Sequence, residues 1–129
     1  MIRVLVLDDE KGLCEDLKEF FDYRGYRVFA ATSGEQALSI IKKEKIDILI
    51  LDIKMEGVDG LKVLKTAKDK DPNVRAVMVT CLRDEDMKKR ALELGANEYM
   101  TKPFNYDKLE TIIIHMVNSI LKEREGAPK

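Results

Sequence analysis

Ile46-Asp47-Ile48-Leu49-Ile50-Leu51-Asp52 has no polar residue between its two aspartates. The apolar run is too short for a helix and shows no polar alternation, which describes a β-strand covered on both faces. Such strands belong to parallel sheets with helices packed on either side. Working outward, four more strand candidates appear: Ile2 to Leu7, Tyr26 to Ala31, Val74 to Val79 and the short Asn97 to Met100. Helical patterns lie between them. Leu13, Leu17, Phe20 and Phe21 recur at helical spacing within Lys11 to Tyr23, before Gly25 breaks the pattern. Ser33 with Gln36 three residues on gives a capping box for a helix carrying Ala37, Leu38 and Ile41. Leu61, Leu64 and Ala67 mark a third helix, ended at Asp71-Pro72. Asp84 to Leu94 is a fourth, acidic in its first turn and followed by Gly95. Tyr106 to about Arg124 is the last, and Glu125 to Lys129 reads as a tail.

Five strands alternating with five helices predict an α/β fold: a doubly wound, five-stranded parallel sheet in a three-layer sandwich. Periodicity does not fix the strand order; the flavodoxin-like order 2-1-3-4-5 is one of two common choices.

The chain has 129 residues, the size of one domain with one core. Its net charge of −1 and its interleaved acids and bases, as in Lys68-Asp69-Lys70-Asp71, argue against a basic nucleic-acid groove. No apolar segment has the length of a membrane span, so a soluble, cytoplasmic protein is expected. Cys14 and Cys81 make no metal pattern and read as free thiols.

In open parallel sheets, ligands bind beyond the carboxyl ends of the strands. After the first strand come Asp8, Asp9 and Glu10; after the third, Asp52; after the fourth, Thr80; after the fifth, Thr101, Lys102 and Pro103. Crowded carboxylates repel by about 4 kcal/mol per pair at about 4 Å and an effective dielectric near 20. They therefore keep a proton or recruit a cation. Hard oxygen ligands suit Mg²⁺, which also accepts a phosphate oxygen. A lysine and a hydroxyl beside them suit an incoming anion, which leaves one carboxylate to act as nucleophile.

Asp8-Asp9, Asp52, Thr80 and Lys102-Pro103 resemble, in order and spacing, the characteristic set of the two-component response-regulator receiver family. Leu51-Asp52-Ile53-Lys54-Met55-Glu56-Gly57-Val58-Asp59-Gly60 resembles that family's loop around the phosphorylated aspartate. The resemblance covers essentially the whole chain and implies a receiver domain over residues 1–124, with strand order 2-1-3-4-5. It implies that Asp52 takes a phosphoryl group from a histidine kinase or phosphotransfer protein. Asp9, Asp52 and the backbone carbonyl of Lys54 are then the Mg²⁺ ligands, with Asp8 acting mainly through water. Lys102, joined to Pro103 by a cis bond, pairs with a phosphoryl oxygen, and Thr80 moves to hold another. Tyr99 is the switch aromatic. The surface of the fourth helix, fifth strand and fifth helix is read by a downstream protein or effector domain.

Two positions depart from the family pattern. Glu56 stands where many members have proline, and Cys81 follows Thr80 where alanine or glycine is usual. A bulkier Cys81 should screen the phosphoryl group and slow its transfer and hydrolysis. On the last helix, Ile114 and Leu121 lie seven residues apart and off the core stripe, an expected contact for a homodimer or an output partner. His115, the only histidine, has no pattern around it and reads as an exposed helix residue.

Two other functions compete. An aspartate-nucleophile phosphatase resembling haloacid dehalogenases needs a second acid two residues beyond the nucleophile, where this chain has Lys54, and a cap domain for which it is too short. A phosphorylation-independent interaction module would normally have lost an acid or the lysine, and neither is lost here.

Overall fold

The computed structural model describes residues 1–126. Five strands and five helices alternate: β1 Arg3–Leu7, α1 Lys11–Tyr23, β2 Arg27–Ala31, α2 Gly34–Lys43, β3 Ile48–Leu51, α3 Gly60–Lys70, β4 Arg75–Thr80, α4 Glu85–Glu93, β5 Glu98–Thr101 and α5 Tyr106–Gly126. All strand pairs are parallel, in the order β2-β1-β3-β4-β5. The alternation predicts the doubly wound sandwich, and the order is the flavodoxin-like one that the resemblance implies.

Strand periodicity explains the three layers. Leu5, Leu7, Leu49, Leu51, Ala76 and Met78 face one apolar cluster with residues of α2, α3 and α4. Their neighbours Val4, Val6, Ile48, Ile50, Val77 and Val79 face a second cluster with α1 and α5. Because β3 and β4 feed both clusters, they carry no exposed residue.

Several boundaries differ from the sequence expectation. β3 starts at Ile48 rather than Ile46. Asp47 turns its carboxylate to the Arg3 N–H at 2.9 Å and to the Arg124 guanidinium at 2.7 Å. β4 and β5 each lie one residue later than expected, so Thr80 is the last residue of β4. Ser33 caps α2 by accepting the Gln36 N–H, but Gln36 returns its bond to the Thr32 N–H at 2.9 Å and not to Ser33. α5 continues through Gly126, two residues past the expected end at Arg124. The rest of the expected tail, residues 127–129, lies outside the described residues.

The end of α5 is tied to the amino-terminal edge of the sheet. Arg75, almost fully buried, donates to the Ser119 hydroxyl at 2.9 Å and to Glu123 at 2.6 Å. With the Asp47–Arg124 pair, this fixes the last turns of α5 against the edge opposite the acidic loops.

Candidate functional site

Every strand end that the sequence marked out opens on the same edge of the sheet. Asp8 and Asp9 follow β1, Asp52 follows β3, Thr80 ends β4, and Lys102 follows β5. Registers pair Leu7 with Leu51, Leu51 with Met78 and Thr80 with Thr101, which brings these ends level. The backbone continues the alignment one step further: the Asp52 N–H donates to the Leu7 carbonyl, and the Lys102 N–H to the Thr80 carbonyl, both at 2.9 Å.

Asp8 and Asp52 are buried, while Asp9 is exposed at the mouth. Each of the three offers a carboxylate oxygen, and the three oxygens lie within 4.8 Å of one another. Ligands on opposite sides of a Mg²⁺ ion stand about 4.1 Å apart at its usual 2.0–2.1 Å bond lengths. The three hard oxygens would have to close by at most about 0.7 Å to ligate such an ion, and the exposed Asp9 leaves one side of the pocket open to solvent.

Lys102 reaches into the pocket and bridges two of its acids. Its ammonium lies 2.5 Å from Asp8 Oδ2 and 3.1 Å from Asp52 Oδ2. Burial alone would depress the lysine's proton affinity; the bonds to Asp8 and Asp52 outweigh it and hold Lys102 well above the ordinary lysine range. At Asp8, burial is the larger effect. It lifts the carboxyl above its usual range despite the bonds from Lys102 and from the Glu10 N–H. The pocket is thus a charge cluster with one internal cation, and burying its negative charge carries a free-energy cost.

Asp8 does not cap α1. Its Oδ1 accepts the N–H of Glu10, the cap residue itself, at 2.9 Å, and Glu10 makes no side-chain cap. Asp8 is held by this bond and by Lys102. Cys14 of α1 donates its thiol to the Asp8 carbonyl at 3.1 Å, and burial raises its pKa to about 11, so it stays a neutral packing group.

Asp52 Oδ1 accepts the Lys54 N–H at 3.2 Å, which turns the start of the following loop around the carboxylate. Gly60, the first residue of α3, backs onto the same aspartate. A Cβ there would lie 1.9 Å from the Asp52 carbonyl oxygen, so only glycine fits. Thr80 is fully buried, and its hydroxyl accepts the Leu82 N–H at 3.3 Å. Tyr99 is half-buried against the core of the α2, α3 and α4 face, and its hydroxyl donates to the Leu82 carbonyl at 2.8 Å. Thr80 and Tyr99 therefore meet at one residue of the β4–α4 loop. The Lys102-Pro103 peptide bond is cis. Cys81 is exposed. Ile114 and Leu121 are 45% and 43% exposed on α5, and His115 is exposed beside Ile114.

The sequence did not single out Gly60, whose place behind Asp52 depends on the close approach of α3 to that residue. Nor did it mark Asp47 and Arg75, whose partners lie 44 to 77 residues away along the chain.

Residues 4–114 match the response regulator receiver domain family. Sporulation initiation phosphotransferase F of Bacillus subtilis is 38% identical over 111 residues, which are 86% of this chain and 90% of that protein. The transcriptional regulatory protein CrdR of Helicobacter pylori is 33% identical over 90% of this chain, but the match spans only 55% of the relative's length. Among solved structures, the response regulator TrrA of Thermotoga maritima, in complex with Mg²⁺ and BeF, has a TM-score of 0.79 at 33% identity, covering 90% of this chain and 99% of that one. A CheY-like receiver domain protein from Methanospirillum hungatei has a TM-score of 0.86 at 28% identity, covering 98% and 99%. No helix among the described residues is long and apolar enough to cross a membrane. The chain belongs to the response regulator receiver family, the phosphorylatable signalling switches of two-component systems.

Proposed function

We propose that Asp52 is the residue that takes the phosphoryl group, from a phosphohistidine on a histidine kinase or a phosphotransfer protein. The observation that carries this is the contact of Asp52 with Lys102 at 3.1 Å inside a pocket where Asp8 and Asp9 supply further carboxylate oxygens. Asp9, Asp52 and the Lys54 carbonyl would hold Mg²⁺, with Asp8 acting through water. A bound Mg²⁺ neutralises the acids and the oxygens of the transferred group.

A carboxylate oxygen of Asp52 attacks phosphorus, and the bond from phosphorus to the donor imidazole nitrogen breaks with its electron pair leaving on nitrogen. The product is an acyl phosphate on Asp52. Lys102 is already placed at Asp52 and pairs with one phosphoryl oxygen. The Thr80 hydroxyl, which accepts the Leu82 N–H, moves to donate its own hydrogen to a second. Because Tyr99 bonds the carbonyl of that same Leu82, movement at Thr80 is transmitted to the aromatic ring. The ring lies in a surface cavity of about 510 Å³ that Arg83, Lys88, Phe104 and Lys108 also line, between α4, β5 and α5. A downstream protein or effector domain reads this surface. The receiver unit comprises residues 1–124.

The test is transfer of labelled phosphate from a phosphorylated histidine kinase in Mg²⁺. The wild type should gain label and Asp52→Asn should not. Label retained by Asp52→Asn would move the acceptor to another residue.

A further inference from the structure

Lys54 lies on the loop between β3 and α3, and this loop has no proline to stiffen it. Its rigidity has to come from neighbours. On one side, Gly60 rests on the Asp52 carbonyl and Asp59 caps α3 by accepting the Lys62 N–H at 3.0 Å. On the other side stands the first turn of α2. Gly34 comes so close to the loop that a Cβ on it would lie 2.1 Å from the Val58 carbonyl oxygen. Glu35, the next residue, places Oε1 at 3.3 Å from the Val58 N–H, which donates to it. Gly57 has φ +76°, and a Cβ there would meet the same Oε1 at 2.8 Å. The Glu35 carboxylate therefore lies along the loop backbone at two consecutive residues. The left-handed turn at Gly57 leaves room for it.

We propose that Glu35 is a positioning residue for the Mg²⁺ site, acting through the Val58 N–H to hold the loop that carries the Lys54 carbonyl. It touches neither the acids nor the phosphoryl group. This inference rests on the reading of Lys54 as a ligand given above. A loop pinned by Glu35 presents its carbonyl in one place. A loop released from it must be ordered each time Mg²⁺ binds, and that ordering lowers affinity. Glu35 thus supplies from α2 part of the restraint that proline supplies within the loop elsewhere in the family.

The experiment is a Mg²⁺ titration followed by the amide NMR signals of Lys54 and Val58, with wild type, Glu35→Ala and Glu35→Gln. Glu35→Ala should raise the Mg²⁺ dissociation constant roughly three- to ten-fold, the worth of one modest hydrogen bond. Glu35→Gln keeps a carbonyl oxygen for the Val58 N–H and should restore most of the affinity. Amide exchange at Val58 should quicken in Glu35→Ala alone. An unchanged Mg²⁺ constant in Glu35→Ala would overturn the proposal, as would equal loss in both variants, which would make Glu35 a matter of charge alone. Failure of the wild type to bind Mg²⁺ would overturn the metal site itself, and this proposal with it.

Discussion

Replacing Gly60 by alanine should damage stability and phosphoryl acceptance together. The added Cβ would lie 1.9 Å from the Asp52 carbonyl oxygen and 2.7 Å from its carbonyl carbon. Ordinary van der Waals contact begins at 3.4 Å, so the first of these is about 1.5 Å too close. The neighbour is backbone, not a flexible side chain, so either the start of α3 or Asp52 itself must move. Overpacking of this kind costs about 1–3 kcal/mol. For a chain of this size that lowers the melting temperature by about 4–12 °C. Displacement of Asp52 by even about 1 Å should slow phosphorylation by about 10- to 100-fold. Gly12→Ala is the matched control. Gly12 lies in the first turn of α1 with nothing within 4 Å of its would-be Cβ, so the same change should stabilise by up to about 1 kcal/mol and leave phosphorylation alone. Thermal melting by circular dichroism and phosphorylation by acetyl phosphate read both effects. Gly60→Ala melting and reacting like the wild type would refute the close approach of α3 to Asp52.

Asp8 should make stability fall with rising pH. Its folded pKa is raised by burial, so its contribution is fully present below the unfolded value near 3.8 and is lost as pH rises through the folded one. Urea denaturation at pH 4 and pH 7.5 should therefore show the stability of Asp8→Asn improving relative to wild type as pH rises; a constant difference would contradict a costly buried charge. Cys81→Ala should speed phosphotransfer, hydrolysis of the aspartyl phosphate or both, measured by decay of labelled protein; two unchanged rates would show that Cys81 does not screen the site. If Ile114 and Leu121 form a homodimer contact, light scattering should detect a dimer that Ile114→Glu abolishes, and only monomer with or without a phosphoryl analogue would remove that contact.

The alternation of elements was legible because strand and helix periods differ, and because β3 and β4 are apolar on both faces. Strand order was not, since the residues feeding the two clusters repeat with the same period in every strand. Asp8, Asp9, Asp52, Thr80 and Lys102 were legible because each follows or ends a strand, and parallel strands all deliver their carboxyl ends to one edge. The acceptor of each bond was not. Asp8 could as well have capped α1, and only the structure shows it spanning the Glu10 N–H and Lys102. Asp47 read as strand because its neighbours are apolar, yet its partners are Arg3 and Arg124. Gly34 and Gly60 look like ordinary helix-start residues, and what they meet, Val58 and Asp52, is set by how α2 and α3 pack.

The most direct measurement is the intact mass of the protein after incubation with Mg²⁺ and acetyl phosphate, alongside Asp52→Asn. The wild type should gain the mass of one phosphoryl group, and the variant should gain none. No gain in a wild type that still binds Mg²⁺ would point to a receiver restricted to its kinase donor. No gain and no Mg²⁺ binding would contradict the aspartyl-phosphate switch.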